Sequence, residues 1–342
     1  MSAMAEKTLQ EAAPQVVADP PEAPARRRLG ARGAWQAVGP FAVFVVLFAV
    51  VAVLNPRFLG GGGLSILAVQ STTILLVALA QAVVLHVGSI DLSVAAMAIL
   101  SAIVLALTLG PLGVLAPLLC IAVLGVVGAV NGLLVAHAQV PSFALTLGAL
   151  GILQAASLVL SGATTVYASA NQQVVGWLFF QTFAGLPAAF WVAVVLAVLL
   201  WALLRFTALG QGMTAVGHNE TGALFSGLRT RLLKVTAFAL SGLLAGVAGI
   251  MIIAQAGAAS SFGLGSDLLL PGIAAAIVGG TAITGGVTNP INVVFGALTV
   301  ALVPIGAAAV GVTPQAQSLV YGAVIIVAVA LTMGRSRTRV VK

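Results

Sequence analysis

Few side chains in this 342-residue chain could do chemistry, and one stretch holds an outsized share of them. Residues 217–234, GHNETGALFSGLRTRLLK, bring together Glu220, Arg229, Arg231 and Lys234 in a chain whose charged residues amount to only 6%. Outside it, ionisable groups are sparse. Asp91 is the sole acidic or basic residue between Arg57 and Arg205, and Asp267 the sole one between Lys234 and Arg335. His86, His137 and His218 each fall near the end of an apolar run rather than together, so no metal-ligand cluster is expected. The signatures of hydrolytic chemistry are missing: there is no HExxH, no GxSxG, no pair of carboxylates at helical spacing and no GxxxxGK[ST] phosphate loop. The chain does not read as an enzyme, and ATP hydrolysis through such a loop would have to come from another subunit.

The apolar runs do carry neutral hydrogen-bonding groups: Gln70, Ser71, Thr72, Thr73, Gln81, Asn131, Thr146, Gln154 and Ser157. Taken singly, each suits packing between helices. Taken together, with almost no charge among them, they suit a path for an uncharged polar solute. Asp91, in GSIDLSV (88–94), is open to two readings that are compatible: an N-cap for the run that follows, or a solute contact at a helix end facing a cavity. Asp267 reads as a cap in the same way. Carriers driven by protons or sodium usually bind the ion with acidic residues inside the membrane, so this scarcity counts against an ion-coupled carrier. Gly125, Gly128, Gly148 and Gly151, three apart in pairs, suit close helix packing.

The elements that position these groups follow from hydrophobicity. Apolar residues make up 61% of the chain, against about half in a soluble domain, and they recur in windows of about 20, the length that crosses a bilayer core. The expected fold is all-α: a polytopic transmembrane helical bundle of about ten spans, near 36–54, 64–85, 92–109, 112–136, 143–161, 187–206, 235–255, 268–283, 291–310 and 315–333. The short alternating segments of a β-barrel are not seen. Residues 1–34, rich in Pro, Ala and charge, are expected to form a disordered cytoplasmic tail, 35–334 the transmembrane domain, and 335–342 a basic cytoplasmic tail. The run from Trp35 to Leu54 follows its basic cluster late and is long enough to span, so it reads as an anchor and not a cleaved leader.

The net charge of +7 is distributed as a topology signal rather than a nucleic-acid surface. With ten spans and a cytoplasmic N-terminus, the C-terminus is cytoplasmic too, and every Lys and Arg except Arg57 lies on that side. The stretch 207–234 becomes the longest internal cytoplasmic loop, with a helix expected from Glu220 to Leu228 capped by Asn219. The single Cys120 cannot form an internal disulfide. An internal duplication is suggested by VGSIDLS (87–93) and VGGTAIT (278–284), each closing an apolar run with small and hydroxyl residues. Gly-interrupted segments in corresponding places of two halves point to a transport site.

Five motifs, GSIDLSV (88–94), NGLLVAHAQVPSFALTLGALGI (131–152), GHNETGALFSGL (217–228), SGLLAGVAGI (241–250) and AAAIVGGTAITGG (274–286), occur in an order and spacing that resembles the ribose/xylose-type permease of bacterial ATP-binding-cassette importers. The similarity runs from about residue 40 to 333. It implies a multi-pass subunit of the bacterial inner membrane, embedded in lipid and paired with a second permease chain, identical or not. A periplasmic or lipoprotein solute-binding protein would feed it. A separate cytoplasmic ATPase would hold the ATP and Mg, leaving this chain without a bound cofactor. The pattern G-x-N-E-x-x-A-x-x-S-G assigns ATPase coupling to Gly217, Asn219, Glu220, Ala223, Ser226 and Gly227. The resemblance also implies a monosaccharide path, for which Gln81, Ser89, Asp91, Ser93, Asn131, Thr146, Gln154, Thr281 and Thr284 are the candidate residues.

The chain departs from the family pattern at Gly222, where Ala is common, at Leu224, where a basic residue is common, and over Val287, Thr288, Asn289 and Pro290 near the expected inner mouth. Ribose itself is therefore not implied. Nucleosides, branched-chain amino acids or a signalling furanose remain alternatives within the same superfamily.

Overall fold

A computed structural model describes residues 31–261 and 266–313, together with Ala316, Leu319, Gly322 and Ala323. The expected tenth span at 315–333, apart from those four single residues, and the tail at 335–342 lie outside the described residues, as does nearly all of the tail expected at 1–34. The chain divides into two units, Met1–Trp35 and Gln36–Lys342. The first is described only where α1 (Ala31–Leu54) begins.

The second unit is mainly helical among the described residues. It continues with α2 (Gly61–His86), α3 (Val94–Leu112), α4 (Leu115–Ala138), α5 (Ser142–Ser161), α6 (Gln173–Phe180) and α7 (Ala188–Phe206). Then come α8 (Ala208–His218), α9 (Glu220–Phe225), α10 (Thr230–Ala256), α11 (Leu269–Val278) and α12 (Pro290–Ala309). Four two-residue strands close two small ribbons: β1 (Val166–Tyr167) pairs antiparallel with β4 (Ala258–Ala259), and β2 (Thr182–Phe183) with β3 (Leu186–Pro187).

Among the described residues seven helices are long and apolar enough to cross a membrane: α2, α3, α4, α5, α7, α10 and α12. One of the expected spans comes out shorter. α1 covers the whole of 36–54, whereas α11 stops at Val278, after 10 residues. At 1.5 Å per residue α11 rises only about 15 Å, half a bilayer core. The chain after it continues without regular structure to Asn289. Such backbone is tolerated at membrane depth only where protein buries it.

The core is organised around α10, which packs on α4, α3 and α2 and is 78% buried across its most apolar window, against 17% for α5. An α-helix apolar on every side belongs inside, and α2 meets that description, its residues Ile74 to Val87 being buried without interruption. The seam between α4 and α10 is made by glycine. A Cβ on Gly128 would run into the Phe238 carbonyl and the Gly242 backbone, and one on Gly242 into the Leu124 carbonyl. The expectation of close packing thus holds for Gly125, Gly128 and also Gly132, but Gly148 and Gly151 of α5 have nothing within 4 Å.

The suggested duplication has a structural counterpart. α2 and α11 end in the same motif: Gly88 (φ +72) and Gly280 (φ +85) take the left-handed conformation. The next amide reaches back five residues, from Ser89 to Val84 O at 3.1 Å and from Thr281 to Ala276 O at 3.0 Å. Gly88 therefore corresponds to Gly280, one residue further along than the sequence match suggested. Each helix then breaks before the next begins, α3 after 87–93 and α12 after 279–289. Part of the departure at 287–290 is a helix start: Asn289 Oδ1 accepts from Ile291 N at 3.1 Å, and Pro290 occupies the first turn.

Two helices were not expected: α6, between the expected spans 143–161 and 187–206, and α8, which precedes the short α9 in the stretch 207–234. Glycines at 210, 212 and 217 lower the intrinsic propensity of α8. Burial of Met213 and Val216 offsets this, as does the Thr207 cap, whose Oγ1 accepts from Gly210 N at 3.1 Å.

Candidate functional site

Two constellations lie at the end of the bundle where α2 and α8 finish and α10 begins. The first is the break after α2. Asp91 does not cap α3 directly; Ser93 holds that position. Instead Asp91 Oδ1 accepts from both Ser93 N (2.9 Å) and Ser93 Oγ (2.6 Å), a local turn that aligns the helix start. Asn131 of α4 donates to Ser93 Oγ at 3.1 Å. Gln81 of α2 donates to the Asp91 carbonyl at 2.5 Å. From α5, Ser142 Oγ accepts from Ile90 N (2.9 Å) and Thr146 Oγ1 from Leu92 N (3.0 Å).

These bonds tie four helices to one seven-residue break. They also satisfy most backbone groups that its irregular conformation would leave bare. Three side-chain oxygens remain without a hydrogen-bond partner among the described residues: Gln81 Oε1, Asp91 Oδ2 and Ser241 Oγ, all on fully buried residues. Ser241 on α10 is near enough to steady the Asp91 carboxylate electrostatically without closing a hydrogen bond.

The candidate path residues thus divide. Gln81, Ser89, Asp91, Ser93, Asn131 and Thr146 gather in and around this break, and all six are buried. Thr281 is buried at the equivalent break after α11, its hydroxyl unpartnered among the described residues. Gln154 and Thr284 are exposed, the first on α5 and the second beside Gly285. Ser142 and Ser241 belong with the first group but were not singled out in the sequence. They gave no local signal, since each becomes informative only once another helix is placed against it. Replacing Thr146 by Val strands the Leu92 amide. The expected cost is about 1–3 kcal/mol, to be read as a lowered melting temperature of the purified chain in detergent.

The second constellation is the stretch from Gly217 onward. Asn219 caps α9 as expected, its Oδ1 accepting from Gly222 N at 2.9 Å. The helix ends earlier than Leu228, because Gly227 (φ +81) turns the chain and Leu228 N bonds back to Ala223 O at 3.1 Å. Ser226 Oγ donates to Gly222 O at 2.9 Å. Ala223 is buried beneath α9, while Leu224 (57% exposed) and Phe225 (86% exposed) face outward. With its cap removed, Asn219→Ala is expected to loosen α9 by about 1 kcal/mol, which hydrogen exchange at residues 220–225 measures as faster opening.

The two constellations touch. Gly286 N donates to His86 O at 2.9 Å, and Gly217 lies directly against that carbonyl and against Gly286. Thr214 of α8 bonds His86 Nε2 at 3.0 Å, and a Cβ at Gly285 would meet Gly217 O and Gly88. Three chain segments, 86–88, 217–218 and 285–286, therefore meet backbone to backbone. Beside them opens a cleft of about 1250 Å³ whose lining includes Ser89, Ser142, Phe143, Leu224, Arg229 and Ile283.

A bundle of apolar spans with two matched helix breaks and a short capped helix outside it is the architecture of a multi-pass membrane transport protein. A family model described as the branched-chain amino acid transport system / permease component matches residues 63–329, and the chain belongs to that family. It is 32% identical to the D-allose transport system permease protein of Escherichia coli strain K12, over 87% of this chain and 91% of that protein. It is 31% identical to the ribose import permease protein of Bacillus subtilis strain 168, over 91% and 97%. To the L-arabinose ABC transporter permease protein of Azospirillum brasilense it is 31% identical, over 93% of each. No solved structure matches. The family model and these relatives are all described as permease components of transport systems.

Proposed function

We propose that this chain is the membrane-spanning permease subunit of an ATP-binding-cassette importer for a monosaccharide, working in the bacterial inner membrane with both termini in the cytoplasm. The observation that carries the reading is similarity over nearly the whole chain to permeases named for allose, ribose and arabinose. In this reading α9 is the element that a cytoplasmic ATPase grips. Leu224 and Phe225 form the gripped face, and Gly217, Asn219, Glu220, Ala223, Ser226 and Gly227 shape and hold the helix. ATP and Mg stay on that ATPase. A solute-binding protein delivers sugar at the opposite end of the bundle, and a second permease chain completes the path.

The mostly exposed α5, with open space at Gly148 and Gly151, supports a path completed by another chain. Sugar hydroxyls suit the neutral donors and acceptors at the breaks, since a buried site built of uncharged polar groups discriminates by hydrogen bonding rather than charge. Arg205, Arg229, Arg231 and Lys234 at the α9 end and Arg57 at the other agree with the positive-inside orientation.

The test is reconstitution in proteoliposomes with a candidate ATPase and a candidate binding protein. D-Allose, D-ribose, L-arabinose and D-fructose are offered in turn, with leucine as the contrasting substrate suggested by the family description. ATP-dependent uptake of one sugar, insensitive to collapse of ion gradients, supports the proposal. Uptake of leucine alone would reassign the substrate class, and uptake that vanishes with the ion gradient would replace the mechanism by a secondary carrier.

A further inference from the structure

α9 has only six residues, too short to hold its own orientation. What it does when pulled depends on its attachments. At its N-terminal side the chain is wedged through Gly217 against His86 and Gly286. Its other attachment is an ion pair: Glu220 Oε2 lies 2.6 Å from Lys234 Nζ. The Lys234 side chain is 16% exposed and that of Glu220 50% exposed. Lys234 stands at the start of α10, the helix at the centre of the core, which also presents Ser241 to the buried break at Asp91.

We infer that Glu220 is a positioning residue, tying α9 to α10 through Lys234 so that a displacement of α9 is delivered to the central helix; the inference rests on the coupling role proposed above for α9. Three observations argue that this carboxylate works within the chain and not across the interface. Capping of α9 is already performed by Asn219, so Glu220 is not needed for it. One carboxylate oxygen is engaged at charge-assisted distance by a cation whose own side chain is mostly buried. The surface α9 turns outward is apolar, Leu224 and Phe225, and needs no carboxylate to fill a cleft. Without the tie, only the packing of the small Ala223 holds α9 between Asn219 and the turn at Gly227. The ATPase would then move α9 while α10 stayed in place.

The experiment uses the complete complex of permease, ATPase and binding protein in proteoliposomes, with four variants: Glu220→Lys, Lys234→Glu, the double exchange Glu220→Lys/Lys234→Glu, and the uncharged Glu220→Gln/Lys234→Met. Co-purification of the ATPase, ATP turnover and sugar imported per ATP are measured. Both single variants are expected to retain the ATPase within about twofold but to import about fivefold less sugar per ATP, the size of effect that a partly exposed pair can exert. The double exchange is expected to restore the ratio to within about twofold of the unmodified complex.

The uncharged variant, which folds without a stranded charge, is expected to be as uncoupled as the single variants. Loss of ATPase co-purification in Glu220→Lys that the double exchange fails to restore would place the carboxylate at the interface and overturn the inference. Unchanged sugar per ATP in the uncharged variant would overturn it as well. If the unmodified chain recruits no ATPase at all, the coupling role of α9 fails first, a result distinct from both.

Discussion

Gly217→Ala is expected to reduce transport more than tenfold while leaving a folded protein. A methyl group at this position would sit well inside contact distance of the His86 carbonyl and the Gly286 amide, two backbone groups already bonded to each other. Backbone cannot yield as a flexible side chain does, so α8 must retreat from the junction or the 2.9 Å bond between Gly286 and His86 must open. Either change separates the α9 segment from both helix breaks. Gly217 lies in the last turn of α8, where alanine would by propensity alone stabilise the helix by about 1 kcal/mol. A loss of function therefore runs against the local preference and isolates the packing effect. The measurement is ATP-dependent uptake in proteoliposomes beside the melting temperature. Uptake equal to that of the unmodified chain would mean the junction is looser than its geometry indicates.

The largest loss of stability is expected from Gly242→Val. Here the added atoms meet the Leu124 carbonyl and the Gly128 backbone across the seam between the central helix and α4. Two helix backbones in contact leave no room for relaxation by rotamer change, so the pair must part along its length. Overpacking in a well-filled core costs about 1–3 kcal/mol, and separating a seam through the middle of the molecule is expected to exceed that. Little monodisperse protein should be recovered from detergent extraction. The contrast comes from α5: Gly148→Ala and Gly151→Ala meet nothing within 4 Å among the described residues, and monomer folding should be unchanged. If those two variants nonetheless lose transport, the open face of α5 has a partner in the assembled complex.

These two experiments separate the parts of the molecule that could be read in advance from those that could not. Hydrophobicity alone placed the seven helices that, among the described residues, are long and apolar enough to cross a membrane, because a bilayer demands about twenty apolar residues per crossing whatever the packing. The Asn219 cap was equally visible, since it depends on chemistry within a few residues, whereas the helix expected to reach Leu228 is ended sooner by the turn at Gly227. α8 escaped notice because its glycines argue against a helix, and only docking of Met213 and Val216 overrules them. The shortness of α11 was half visible: Gly279 and Gly280 close its apolar run, but no local signal shows that the backbone stays irregular as far as Asn289.

The candidate site shows the same division. Asp91, Ser93, Asn131 and Thr146 stood out as polar residues in apolar runs, a property of the sequence itself. That they surround one break, with Ser142 and Ser241 beside them, required four helices to be placed. Gly128 and Gly148 look alike as letters, yet one lies against a neighbouring backbone and the other faces open space. Composition, span length, charge asymmetry and local capping are properties of neighbours along the chain, and those the sequence by itself determined. The meeting of Gly217 with His86 and Gly286, and of Glu220 with Lys234, joins residues far apart in the chain. Only tertiary structure decided those contacts, because packing brings distant segments together according to the shapes of whole helices rather than the identity of any one residue.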